Sequence, residues 1–224
     1  MPRASGRRGV LKLGAAIVVL VALAIGVYGG IGYLDALDDA PALKKRAAGL
    51  IAARRGPADL TPRKLDQLIR VEDPSFWQHN GIDVTSSGAG ITTLTQSLAK
   101  RTAFTRFRPR IGKIRQTTYA LGLERRLTKV EILALGLDTA QMGRGPKGWM
   151  QGVFTASEQV FGKRPADLSD RQWLRLVAVL IAPGTFRLSA PDARLDERVA
   201  RIEKLLDGRC RPRSNGDVWL DGCV

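Results

Sequence analysis

The longest apolar block of the chain runs from Gly14 to Leu34 and contains no charged residue. As a helix rising about 1.5 Å per residue, it would cross roughly 30 Å of hydrocarbon. Arg3, Arg7, Arg8 and Lys12 precede the block, and Asp35, Asp38 and Asp39 follow it. Cations on the N-terminal flank hold that end in the cytoplasm, so the rest of the chain is expected on the outer face of a membrane. The rival reading is a cleaved leader. Ala40-Pro41-Ala42 has small residues at suitable spacing, but it lies well beyond an apolar block that is itself long for a leader. The block is therefore read as an anchor. It divides the chain into a basic tail over 1–13, a transmembrane segment over 14–34, a domain over 41–208 and a C-terminal tail over 209–224.

From Pro41 onward the apolar spacing is helical, and no alternating strand stands out. Thr61-Pro62 reads as an N-cap followed by proline at the first helical position. Leu65, Leu68 and Ile69 continue that helix to Glu72, and Pro74 ends it. A Ser/Gly-rich loop over Thr85 to Gly90 leads into ITTLTQSLAKR, whose threonines suit a helix cap. In RIGKIRQTTYALGLERRL, one face carries Ile111, Ile114, Thr118 and Leu121. Thr128 with Glu131, and Ser169 with Gln172, form capping boxes for two further helices, the second stopped by Pro183. Leu195, Val199, Ile202 and Leu206 mark a last amphipathic helix, closed by Gly208. The expectation is a compact, mainly α domain tethered close to a membrane.

Charge narrows the partner. Lys and Arg number 36 against 21 Asp and Glu, a net charge of +15 that favours an anionic ligand. Lys100, Arg101, Arg106, Arg108, Arg110, Lys113 and Arg115 crowd one stretch without an acid. A solvated basic face is one reading. Beside a membrane, a pyrophosphate or phospholipid headgroup is the other. Export argues against nucleic acid, and no zinc-finger or aromatic RNA-binding signature is present. The two cysteines, Cys210 and Cys223, lie in the tail with no further Cys or His near them. In an exported chain such a pair is read as a disulfide rather than a metal site, with two free thiols as the alternative.

Candidate chemistry centres on VEDPSFWQHNGIDV, which holds the one histidine, His79. Glu72 falls at a helix C-terminus beside aromatics, where the helix dipole and desolvation both raise a carboxyl pKa toward working pH. That makes Glu72 a candidate general base, against the commoner role of a capping or ion-paired glutamate. His79 alone makes no metal site.

These residues resemble the peptidoglycan glycosyltransferases: the monofunctional transglycosylases and the glycosyltransferase half of class A penicillin-binding proteins. Glu72, Asp73, Phe76, His79 and Gly81 fill the family's E-D-x-x-F-x-x-H-x-G. GITTLTQSLAK, from Gly90 to Lys100, follows G-x-S-T-I-T-Q-Q-x-x-K, with Thr92 for the serine and Ser97 for the second glutamine. Lys113, Ala120, Leu123 and Glu124 match the third motif, with Gln116 where an acid belongs. KVEILALGLD keeps Lys129, Ile132, Leu133 and Leu137 of the fourth, while Gly136 and Asp138 replace its Tyr and Asn. QGVFTASEQVFGK and a helix ending in Ala-Pro-Gly follow in the expected order, so the similarity runs from about Leu60 to Arg201. Only residues 82 to 91 separate Gly81 from Thr92, where typical members carry a longer, mobile segment.

The resemblance implies a lysozyme-like helical fold and a lipid II substrate. An acceptor 4-hydroxyl would join C1 of an undecaprenyl-linked glycan, and undecaprenyl pyrophosphate would leave. Glu72 would be the base, and Gln116 would occupy the second catalytic position. Asp73, Phe76, His79, Thr93, Thr95, Gln96, Lys100, Arg108 and Lys113 would bind substrate, Lys100 and Arg108 at the pyrophosphate. No tightly bound cofactor is implied, though a divalent cation (Mg2+ or Mn2+) could accompany the pyrophosphate. The location would be the bacterial inner membrane, single-pass, with the domain on the periplasmic face and cell-wall synthases as candidate partners. Two alternatives remain. One is an inactive relative that binds lipid-linked precursor or partner synthases as a scaffold. The other is a hydrolytic lytic transglycosylase, which a basic pyrophosphate cradle would not serve.

Overall fold

The computed structural model describes the backbone from Ala4 to Val224 and side chains from Lys12 onward. Arg3, and the side chains of Arg7 and Arg8 in the basic tail, lie outside the described residues. Helix α1 (Ala4–Ala52) contains the apolar block and is long and apolar enough to cross a membrane. It runs without a break through Pro41 into the domain. The boundary expected at Pro41 is therefore not a structural one. The missing proline N–H costs one rung of the helix, and packing on both sides of it compensates. Ala36, Ala40 and Ala47 are buried. Asp35 accepts from Arg115 Nη2, and Arg46 Nη2 donates to Asp138, each at 2.6 Å. The aspartates that follow the apolar block are thus docking residues as well as flanking charges. Asp138, a departure from the family motif, is the partner of a cation on α1.

The helices after α1 are α2 (Pro62–Glu72), α3 (Leu94–Thr102), α4 (Ile111–Arg126) and α5 (Lys129–Thr139). Beyond a short hairpin come α6 (Val153–Phe161), α7 (Asp170–Val179) and α8 (Ala193–Leu206). The expected caps form. Thr61, Thr93, Thr128 and Ser169 each accept a backbone N–H of the first turn, and the last two close full capping boxes. Helix α7 stops at Val179, before Pro183, and short turns carry the chain onward.

Two expectations need correction. Gln141–Gly145 (β1) and Gly148–Gln151 (β2) form an antiparallel hairpin that the pattern did not reveal. Its strands are short and glycine-rich, and the register shifts between Gln141 and Arg144, so no clean alternation survives. Second, the Ile111–Ile114–Thr118–Leu121 face of α4 is not its most buried one. Gln116, Tyr119, Ala120 and Leu123 are buried instead, and Ile111 is exposed. Helix α4 is covered on two sides, and Ile114 with Thr118 meet α1 at Gly29. A Cβ on Gly122 would stand 2.6 Å from Ala36 Cβ and 2.8 Å from Tyr33 O, so that glycine sets how closely α1 and α4 approach. The last turns of the apolar block thus pack on the domain.

The core has two parts. One joins α1, α3, α4 and α5 around Phe76, Leu98, Tyr119 and Leu123. The other joins α6, α7, α8 and the hairpin around Phe154, Trp173, Leu176 and Leu195. A cleft opens where they meet.

Candidate active site

Glu72 is the last residue of α2, as its spacing to Pro74 predicts. Its carboxyl lines a cleft of about 320 Å³ walled by Leu68, Ile132, Leu133, Leu137 and Ile181, with Lys100 and Arg101 as the cations. Burial among these side chains lifts the carboxyl pKa to about 7. The Arg198 and Arg101 guanidiniums oppose the shift, while the Asp73 carboxylate adds to it. Such a group is half ionised near neutral pH, which suits a general base.

Lys100 and Arg101, at the end of α3, also border a second cavity of about 610 Å³. Asp39, Leu43 and Arg46 of α1 form one side of it, and Phe104 and Phe107 another. The cationic pair therefore stands between the carboxylate and the helix that carries the apolar block. Lys100 Nζ rests 4.8 Å from the centroid of the Phe107 ring. Burial lowers the Arg101 pKa to about 10, with Glu72 holding it up, so it stays cationic at neutral pH.

Several residues that the resemblance names as substrate-binding are held by contacts within the protein. Asp73 is 1% exposed; its carboxylate accepts His79 Nε2 at 2.9 Å and Leu94 N at 2.8 Å, tying the end of α2 to the start of α3. His79 Nδ1 accepts from Gly81 N at 2.9 Å, which places the ring proton on Nε2, toward Asp73. Phe76 is fully buried beneath Lys129, whose Nζ sits 4.5 Å from the ring centroid. That amine also donates to His79 O at 2.7 Å and Glu124 Oε1 at 2.8 Å. Thr95 donates to the same Glu124 oxygen, and Thr93 donates to Gly81 O at 2.9 Å. Being buried, Asp73, Phe76, Thr93, Thr95 and Gln96 shape the cleft from behind its surface.

Gln116 is likewise 2% exposed, and its Nε2 donates to the backbone carbonyl of Gln96 at 2.7 Å. It packs in the floor, held by that bond and not among the residues that line the cleft. Lys113 is half-buried, and its Nζ donates to Ile91 O, Thr92 Oγ1 and Gln96 Oε1 at 2.9–3.1 Å. Burial, and then the neighbouring Lys100 charge, lower its pKa. Arg108 lies exposed in the loop between α3 and α4, away from Glu72's cleft wall.

The sequence reading missed Arg198. It lies on α8 between the buried Leu195 and Val199 and is 5% exposed, with Nε and Nη1 finding no hydrogen-bond partner among the described residues. Burial lowers its pKa, and Glu72 is the first of the groups that raise it. An arginine on the apolar face of an amphipathic helix was the available signal.

Comparison with known proteins agrees with this geometry. The family model described as transglycosylase matches residues 56–207. Penicillin-binding protein 1C of Escherichia coli (strain K12) is 36% identical over 164 residues, which cover 66% of this chain and 20% of that protein. Penicillin-binding protein 1F of Bacillus subtilis (strain 168) is 29% identical, covering 67% and 23%. Penicillin-binding protein 1A of E. coli is 28% identical, covering 72% and 21%. The chain thus matches about a fifth of the length of each of these relatives. With the transglycosylase region spanning the cleft from before Glu72 to beyond Arg198, the chain belongs to the transglycosylase family.

Proposed function

We propose that the chain is a membrane-anchored glycan polymerase acting on lipid II at the outer face of the bacterial inner membrane. The observation that carries this reading is Glu72: a carboxylate with its pKa raised to about 7 in an apolar cleft, with Lys100 and Arg101 on the wall toward α1. Glu72 takes the proton of the acceptor 4-hydroxyl as that oxygen forms a bond to the donor's C1. The C1–oxygen bond to pyrophosphate breaks, and undecaprenyl pyrophosphate departs with its electron pair. Lys100 and Arg101 offset the charge that develops there, and Lys113 supports the adjoining wall. Helix α1 would place the second cavity beside the bilayer, where a polyprenyl chain stays while the sugars react.

No three His, Cys, Asp or Glu side chains gather as metal ligands among the described residues. Gln116 is neutral and committed to Gln96 O. A divalent ion accompanying the reaction would be carried by the substrate's pyrophosphate.

Gln116 favours a second reading, in which the chain binds lipid-linked precursor or partner synthases without catalysis. Purified full-length protein and labelled lipid II decide between the two. Polymer from wild type, with at least a hundredfold loss in Glu72→Gln, supports the enzyme. Binding of lipid II without polymer supports the scaffold.

A further inference from the structure

The tail beyond α8 is folded. Cys210 and Cys223 form the expected disulfide. Arg213, Asp221 and Gly222 donate their backbone N–H groups to Asp217 at 2.7–3.0 Å. Leu220 and Cys223 are buried against the α6–α8 core, and Arg201 of α8 donates to Trp219 O and Asp221 Oδ1. The tail lies outside the region matched by the transglycosylase family, yet it reaches the cleft's lip.

The contact is specific. Asn215 Nδ2 donates to Ser86 O and Gly90 O, both at 2.8 Å. Gly88 N donates to Ser214 O at 2.9 Å, and Gly90 N to Asn215 O at 2.8 Å. Gly90, at φ +70°, leaves room for Val218; a Cβ there would stand 2.9 Å from Val218 Cγ1. One residue further on, Ile91 O and Thr92 Oγ1 accept two hydrogen bonds from Lys113 Nζ, and Thr92 lines the cleft. A continuous path therefore runs from the disulfide through Asn215 and the lip to Lys113.

We infer that Asn215 is a positioning residue. The disulfide-closed tail clamps the lip over 85–92, and the clamped lip fixes Lys113 and Thr92 for the anionic donor. The donor's identity rests on the proposed function; the clamp does not. A ten-residue connection would sample many conformations alone, and each would place the acceptors of Lys113 differently. The clamp removes that freedom before substrate arrives, so its effect belongs in binding more than in chemistry.

The test uses the full-length chain and compares wild type with Asn215→Asp, which replaces the amide donor by an acceptor of the same shape. Cys210→Ser/Cys223→Ser and reduced wild type form a second arm. Hydrogen exchange over 85–92 is expected to accelerate in each, while exchange in α5 and α7 stays as in wild type. For polymerisation of labelled lipid II, KM is expected to rise about five- to tenfold with kcat within about twofold. Affinity for inorganic pyrophosphate is expected to fall in parallel. Unchanged exchange over 85–92 in Asn215→Asp overturns the clamp. Faster exchange with unchanged KM and pyrophosphate affinity overturns the positioning role. If wild type makes no polymer, the proposed activity fails, and exchange together with pyrophosphate affinity still decides this inference.

Discussion

The Tyr119 hydroxyl on α4 donates to the Asp39 carboxylate on α1 at 2.6 Å. Burial and this hydrogen bond hold the phenol pKa above its ordinary value. The helix that carries the apolar block is thereby fastened to α4, whose Tyr119 borders the second cavity. Tyr119→Phe is expected to cost about 1 kcal/mol, because Asp39 is exposed enough to turn to water. Gly122→Val is expected to cost about 1–3 kcal/mol, since its Cβ has no room beside Ala36 and Tyr33. Thermal unfolding in detergent measures both. Equal stability of wild type and Gly122→Val would contradict the docking of α1 on α4.

The raised pKa of Glu72 has a stability signature as well as a catalytic one. Its value of about 7, against an ordinary 4.5, means that the folded state holds a proton which the unfolded chain has released between those values. Stability therefore falls as pH rises through that window, by at most about 3 kcal/mol. Glu72→Gln removes this cost, so its Tm should exceed that of wild type at pH 8 and match it near pH 4. In the same window wild-type kcat/KM should climb with pH as the base ionises. A pH-independent difference in Tm would show that the carboxyl is not held in its neutral form by burial.

Arg198 opposes that shift from behind the cleft. Arg198→Met removes the opposing charge, leaving Arg101 as the cation that still lowers the Glu72 pKa. The acid limb of kcat/KM should then move to higher pH, with activity at pH 7 reduced by about two- to tenfold. Arg198→Lys keeps a cation there and should restore most of the wild-type profile. A uniform loss of activity in both variants, with no movement of the limb, would mean that Arg198 only packs.

Gln116→Glu tests whether the amide faces the reaction or the floor. A carboxylate there would point at the Gln96 carbonyl that now accepts from the amide. Buried and facing an acceptor, it should keep its proton well above the ordinary carboxylate range. The variant should then lose roughly 1–3 kcal/mol at neutral pH and regain much of it near pH 4. Increased polymerisation with unchanged stability would place the side chain in the cleft after all.

The apolar block, the capping boxes and the placement of Glu72 were determined by local sequence. Each depends on neighbours within a few residues: hydropathy along a helix, a hydroxyl two or three residues from a free N–H, a proline that cannot continue the helix. Gly143, Gly145 and Gly148 obscured the hairpin because strand alternation needs side chains to show itself. Which motif residues line the cleft and which lie buried behind it was not legible either. Asp73, Phe76 and Gln116 match or replace motif positions as plainly as Glu72 does, but only packing buries them against His79, Lys129 and Gln96. The pairing of Asp39 with Tyr119, of Glu72 with Arg198 and of Asn215 with the lip joins residues about eighty to more than one hundred and twenty positions apart. Local chemistry sets each of these groups in its helix or turn. The meeting of two pairs of helices, and of a tail with the lip, decides what each one faces, because burial and opposing charge arise only when those surfaces close on one another.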